Sequence, residues 1–155
     1  KQRDHIHSLV TGSIAAGAKL AAGGTYEDLF YRPTVLADTP LTAPAFADEV
    51  FGPVAPVTSF ATVEQAITIA NDSEYGLSLG ILTSDAMRGL ELAQQIPTGL
   101  VHINDQTVGD EAVIPFGGMA SSGNGGRVGG IGANLDAFTE TQWVTAQSAL
   151  PVYPF

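Results

Sequence analysis

Val54-Ala55-Pro56-Val57-Thr58-Ser59-Phe60, then Thr62-Val63-Glu64-Gln65 opening a run to Ala70, then Leu77 to Thr83, then Ser84-Asp85 ahead of Met87, Leu90, Leu92, Ala93 and Ile96, then Leu100-Val101-His102-Ile103: this stretch decides the fold. Val54 to Phe60 is apolar and β-rich and reads as a strand whose start Pro56 weakens, because proline has no N–H for a ladder. Thr62 and Gln65 stand in capping-box spacing, which predicts a helix to about Ala70, ended by Asn71-Asp72-Ser73. Leu77 to Thr83 predicts a second strand. Ser84 or Asp85 caps a second helix, Pro97-Thr98-Gly99 turns the chain, and Leu100 to Ile103 predicts a third strand. Strand, helix, strand, helix, strand with short connections means an α/β fold built on a parallel β-α-β-α-β sheet, its crossovers right-handed. Ligands of such sheets sit at the ends of the strands, where the loop from Asn104 onward begins.

Upstream, Ile6, Leu9, Val10, Ile14 and Ala18 recur at helical spacing over residues 4–20, and Gly23-Gly24 stops that helix. Thr34-Val35-Leu36 reads as a short strand. Residues 37–53 carry Pro40, Pro44 and Pro53 and read as irregular. Downstream, residues 117–132 hold eight glycines, too many for regular structure. Ala133 to Phe138 reads as a short helix, Trp143-Val144-Thr145 as a last strand, and Pro151 to Phe155 as a tail. There is no internal repeat.

The chain has 155 residues with 6 basic and 16 acidic side chains, a net charge of −10. That length supports one domain with a sizeable core. The charge argues against nucleic acid and against an anionic membrane surface, both of which need clustered Lys and Arg. No apolar run approaches the ~18 residues of a membrane span. Charged residues are only 14% of the chain beside an apolar share of 45%, so part of the surface is expected to be covered by other protein. Cysteine is absent, which excludes disulfides, zinc–thiolate sites and a thiol nucleophile within this chain and fits a reducing compartment, the cytoplasm. The opening Lys1-Gln2-Arg3-Asp4-His5 has neither Met nor the apolar core of a signal peptide, and its helical pattern reads as a chain cut from a longer one.

Several patterns carry no chemistry on inspection. His5 and His7 lie two apart on a helix and point about 200° apart, so they cannot share a metal and read as solvated. His102 sits within a strand alternation and reads as a satisfied structural residue. Gly123-Asn124-Gly125-Gly126-Arg127-Val128-Gly129 has the look of a phosphate loop, but no strand precedes it and the spacing is wrong for a dinucleotide fingerprint. A close-packed turn accounts for it better. Asp48-Glu49 and Asp110-Glu111 are sequence neighbours, which point apart on an extended chain, so neither is a shared-proton pair. Glu49-Val50-Phe51-Gly52-Pro53-Val54 admits two readings. A carboxylate can accept hydrogen bonds from a sugar diol while an aromatic ring two residues on buttresses a flat heterocycle. Alternatively, an exposed acid and a buried Phe simply precede a strand.

Glu49-Val50-Phe51-Gly52-Pro53-Val54, Asn71-Asp72-Ser73-Glu74-Tyr75-Gly76-Leu77, Pro115-Phe116-Gly117-Gly118 and Phe138-Thr139-Glu140 follow one another in this order. The ordered set resembles the C-terminal part of the aldehyde dehydrogenase superfamily over nearly the whole chain. Ser122-Gly123-Asn124-Gly125, Arg127 before Gly129-Gly130, and Ala137-Phe138-Thr139-Glu140 leading to Gln142-Trp143-Val144-Thr145 resemble the branch acting on aromatic aldehydes, of the benzaldehyde and vanillin type.

The resemblance implies that Glu49 binds the nicotinamide ribose hydroxyls of NAD or NADP and that Phe51 packs near the nicotinamide ring. It implies that Phe116 lines an aldehyde funnel shaped by the loop from Asn104 to Ile114, where Thr107, Val108 and Val113 flank an aromatic substrate. It makes residues 1–138 an incomplete C-terminal part of the catalytic domain and 139–155 an oligomerisation strand and tail, so a homo-oligomer is expected. The family attacks the aldehyde with a Cys thiolate and has as its general base a Glu upstream of that Cys; this chain has no Cys, the base would precede Lys1, and Met119 stands where a Lys often follows Pro-Phe-Gly-Gly. The chain is therefore expected to supply cofactor anchoring and pocket walls to the remainder of its own enzyme, with no catalytic residue and no metal of its own, and to be inactive and self-associating alone. The alternative is a non-enzymatic structural or oligomerisation module.

Overall fold

The computed structural model describes residues 1–152 and 154. The chain divides into two compact units, Lys1–Ser73 and Glu74–Phe155.

The first unit opens with helix α1, Gln2–Ala15, whose Ile6, Leu9, Val10 and Ser13 repeat at three- and four-residue spacing and are buried. The helix does not reach residue 20 as its apolar spacing predicts. Gly17 takes φ +112°, and its N–H bonds the Ile14 carbonyl at 3.0 Å while the Ala18 N–H reaches back to the Ser13 carbonyl at 2.9 Å. This is a Schellman ending, which needs a residue free to take positive φ, so Gly17 stops the helix six residues before Gly23. Lys19–Ala22 becomes strand β1 instead. Strands β2, Tyr26–Glu27, and β3, Phe30–Tyr31, form a small hairpin. Strand β4, Thr34–Ala37, pairs antiparallel with β1 and carries the fully buried Leu36. The irregular stretch expected over 37–53 contains one helical turn, α2, Pro44–Ala47, with Pro44 at its first position. Strand β5, Val54–Pro56, runs parallel to β4, and helix α3, Val63–Asn71, closes the unit. Thr62 caps α3 by accepting from Gln65 N–H at 3.2 Å, and Gln65 Oε1 accepts from Ala61 N–H at 2.8 Å. The core is Ile6, Val10, Ala18, Leu36 and Ala45, with Tyr31, Val50 and Val54 packed on it. One buried hydroxyl ties α1 to α2: Ser13 Oγ donates to the Leu9 carbonyl at 2.7 Å and accepts from the otherwise orphaned Ala45 N–H at 2.8 Å.

In the second unit, strand β6, Tyr75–Gly76, precedes strand β7, Ser78–Ile81. Helix α4, Ala86–Ala93, is capped by Asp85, whose carboxylate accepts from the N–H groups of Met87 and Arg88 at 3.0 and 3.1 Å. Strand β8, Leu100–Ile103, lies parallel to β7 in the register Ser78↔Leu100 to Ile81↔Ile103. Strand β9, Met119–Ala120, pairs antiparallel with β6, and helix α5 covers Ile131–Phe138.

The α/β class and the parallel pairing of strands on either side of α4 match expectation. The grouping differs, because the ladders are β1-β4-β5 and β7-β8, not one run of three parallel strands. The reason is visible in β5. The Val57 N–H bonds Leu36 and the Pro53 carbonyl accepts from Thr34, both on the β4 side. On the far side the Val54 N–H is already bonded to the Gly52 carbonyl at 2.8 Å, and Pro56 has no N–H at all. That edge offers no donor for a further strand. Residues 139–150 contain no strand either; a ladder needs a partner, and Trp143-Val144-Thr145 finds none within the described residues. Of the expected tail, Tyr153 and Phe155 lie outside the described residues.

The glycine-rich segment behaves as the close-packed turn expected of it. A Cβ on Gly99 would stand 1.8 Å from the Gly117 carbonyl oxygen, and one on Gly123 would stand 2.0 Å from that of Gly118. Backbone lies directly on backbone, which only glycine permits.

Two variants test these packing arguments. Ser13→Ala leaves the buried Ala45 N–H without an acceptor and should cost about 1–3 kcal/mol in urea unfolding; an unchanged midpoint would refute the tie. Gly99→Ala should cost about 1–3 kcal/mol or more, because the rigid Gly117 peptide must move; wild-type thermal stability would show that the contact is slack.

Candidate functional site

Glu49 and Phe51 lie between α2 and β5, on a backbone held by short local bonds. The Gly52 N–H bonds the Val50 carbonyl and the Val54 N–H bonds the Gly52 carbonyl, each at 2.8 Å, forming two successive three-residue turns. Gln2 Nε2 donates to the Phe51 carbonyl at 3.1 Å, and the Thr34 N–H donates to that of Pro53 at 2.8 Å. Val50 is turned onto the core while Phe51 stays 69% exposed. Glu49 is exposed, and its carboxylate has no hydrogen-bond or ion-pair partner among the described residues. The buried-Phe reading of this segment fails. A free acceptor and a bare ring, both on pinned backbone, suit a ligand that offers hydroxyl groups and a flat face.

The loop after β8 is anchored at its start. Asn104 takes φ +60°, its N–H bonds the Ile81 carbonyl at 2.8 Å, and its Oδ1 accepts from the Thr83 N–H at 2.7 Å. Ser78 Oγ donates to the Thr107 carbonyl at 2.8 Å. Thr107 is exposed, and Val108 and Val113 are 76% and 73% exposed. His102 is not the satisfied residue its alternation suggests: its Nε2 is buried without a hydrogen-bond partner.

Phe116 is half-buried and joined to Val128 by a pair of backbone bonds, Phe116 N–H to the Val128 carbonyl at 2.6 Å and the reverse at 2.9 Å. It walls an open cleft of about 600 Å³ together with Leu77, Ser122, Asn124 and Arg127. Thr107, Val108 and Val113 are not among the residues lining that cleft. In the sequence Arg127 figures only within the glycine-rich run and the branch resemblance, with no role of its own. The available signal was its isolation, since it is the one charged residue between Glu111 and Asp136.

The histidines near the N-terminus divide. His5 is exposed as expected, but His7 is half-buried, its Nδ1 3.1 Å from the Tyr31 hydroxyl and its ring edge-on to Tyr26. Burial, and secondarily Tyr26, pushes the Tyr31 phenol above its usual pKa, while Arg3 holds the Asp4 carboxyl below its own. This cluster fastens the β2–β3 hairpin to α1. Among the described residues no group of three His, Cys, Asp or Glu could hold a metal, and no helix is long and apolar enough to cross a membrane.

Comparison with known proteins gives one consistent result. The sequence profile described as "Aldehyde dehydrogenase family" matches residues 1–144. A vanillin dehydrogenase of an Amycolatopsis species is 62% identical over all of this chain and 32% of its own length. The benzaldehyde dehydrogenase [NAD(+)] of Pseudomonas putida is 46% identical over the same shares. The crystal structure of a salicylaldehyde dehydrogenase from Pseudomonas putida G7 complexed with salicylaldehyde superposes with a TM-score of 0.92 at 37% identity, covering 99% of this chain and 31% of that one. The chain thus spans about a third of the length of these relatives. With most of its length matched by the family profile and all of it by the relatives, the chain belongs to the aldehyde dehydrogenase family.

Proposed function

We propose that this chain is the C-terminal part of an NAD(P)-dependent aldehyde dehydrogenase of the cytoplasm that oxidises an aromatic aldehyde to its carboxylic acid. The unpartnered carboxylate of Glu49 beside the exposed ring of Phe51 carries the proposal. A carboxylate on an anchored turn accepts hydrogen bonds from the two hydroxyls of a ribose, each charge-assisted. The Phe51 ring offers a flat apolar surface for the heterocycle. When bound, the dinucleotide supplies the hydride-accepting ring. The names of the 62% and 46% identical relatives, a vanillin and a benzaldehyde dehydrogenase, support the aromatic substrate class.

In this reading Phe116, Thr107, Val108 and Val113 are walls of the aldehyde funnel, and residues 1–138 belong to the catalytic domain. The chain contains no cysteine, so it cannot contribute the thiolate that the family resemblance implies, and no aldehyde oxidation is expected from it alone. The segment from residue 139 onward is assigned to oligomerisation: Trp143, 89% exposed, and Val144, 71% exposed, would be covered by a second subunit, whose sheet would supply the ladder partner that Trp143-Val144-Thr145 lacks among the described residues. Structural and catalytic roles coexist, since a wall of the pocket is also a docking surface for the remainder of the enzyme.

The test uses the whole enzyme with benzaldehyde and vanillin, following NADH formation. Glu49→Gln should raise the cofactor KM about tenfold or more, the worth of a hydrogen bond to a charged group, with the aldehyde KM little changed. Absence of aldehyde-dependent NADH, or an unaltered cofactor KM in the variant, would defeat the proposal. The 155-residue chain alone should give no NADH; a turnover signal that survives repurification would contradict the assignment of the nucleophile to another part of the enzyme.

A further inference from the structure

The loop that follows β8 folds back onto the sheet it leaves. Residues two apart on a strand share a face, and so do paired residues of a parallel ladder. Ser78 and Gly80 of β7 therefore stand on one face with His102 of β8, the partner of Gly80. Helix α4 takes the other face, with its Gly89 against the Ile103 side chain. The first face receives the loop at three points. Ser78 Oγ donates to the Thr107 carbonyl at 2.8 Å. Gly80 leaves room for the Thr107 methyl, since a Cβ there would stand 3.0 Å from Thr107 Cγ2. Gly109 lies on the His102 ring, where a Cβ would stand 3.4 Å from Cε1. Asn104 fixes the exit from the strand, its Oδ1 accepting from the Thr83 N–H at 2.7 Å.

Thr107 and Gly109 are thus both seated on the sheet, by contacts whose two partners lie in this chain. Val108 between them points off the sheet and is 76% exposed. The carbonyl that Ser78 holds belongs to the peptide group joining Thr107 to Val108. That group is planar, so a directional bond to its oxygen also sets where the next residue starts. We infer that Ser78 is a positioning residue for substrate selection: through the Thr107 carbonyl it fixes where Val108 stands, and Gly80 keeps the space for Thr107 clear. That this loop walls an aldehyde funnel rests on the function proposed above; the anchor itself rests on contacts within the chain.

The whole enzyme tests both parts. Ser78→Ala should speed amide hydrogen exchange across residues 105–109. It should raise the KM for benzaldehyde about threefold or more, the worth of one neutral hydrogen bond, with kcat and the cofactor KM little changed. Acetaldehyde, too small to press on the wall, should keep its KM, so the preference for benzaldehyde over acetaldehyde falls by the same factor. Ser78→Thr keeps the hydroxyl and should restore both exchange and preference. Gly80→Val, a strand-favouring change that crowds Thr107 while leaving Ser78 in place, should lower the same preference. Unaltered exchange or an unaltered benzaldehyde KM in Ser78→Ala would overturn the inference. So would an equal shift for acetaldehyde or the cofactor, or a Ser78→Thr variant that behaves like Ser78→Ala. A wild-type enzyme that oxidises no aromatic aldehyde, with exchange still faster in Ser78→Ala, would strike the functional proposal and leave Ser78 as the anchor of the loop.

Discussion

Peptide touches peptide at Gly99 and Gly117, and at Gly118 and Gly123, with no room for a β-carbon between them. The second unit depends on this contact. It seats the turn from Pro115 to Gly118 against the end of the loop that leads into β8, and so fixes where Phe116 stands. It also brings the strand pair β6–β9 into register, since Gly76 and Met119 flank the same junction. Replacing backbone contact by side-chain contact would widen the turn and release both Phe116 and Arg127.

The first unit solves a related problem with hydrogen bonds. Residues 49–53 belong to neither helix nor strand, so their peptide groups have no repeating partner. Two three-residue turns, the Gln2 amide and the Thr34 N–H meet that need. With the main chain satisfied locally, Glu49 is left with no internal duty. Loop side chains held on a fixed scaffold and free of internal partners are the ones open to a ligand.

Much of this was legible in the chain itself. Thr62 and Gln65, then Asp85, announced two helix starts because capping is a local interaction between residues two to four apart. Leu100 to Ile103 was legible because β-branched and apolar residues end abruptly at a turn. The motif Glu49 to Val54 was legible as a family resemblance, and its exposure was not. What escaped involved partners distant in sequence or missing from the chain. The ladder between Tyr75-Gly76 and Met119-Ala120 spans two residues on each side and leaves no periodic trace. The choice of β4 as the neighbour of β5 turned on which N–H groups were already taken. The α1 ending was in reach, since Gly17 precedes the Gly23-Gly24 pair, but apolar spacing ran past it. Trp143 to Thr145 has strand composition, and composition cannot supply the second edge. Arg127 was legible as a member of the glycine-rich run and of the family resemblance, but its bonds to the Gly118 and Gly126 carbonyls were not, because they depend on how the loop folds back on itself.

The far side of β5 presents carbonyls and no free N–H at positions 54 and 56, because the Val54 N–H is taken by the Gly52 carbonyl and Pro56 has none. Two such edges brought face to face could offer each other only acceptors. Like edges of β5 therefore gain no mutual N–H···O bonds by meeting. The proline and the tight turn before it thus blunt this edge of the sheet in the way that proline and irregular backbone blunt edge strands generally.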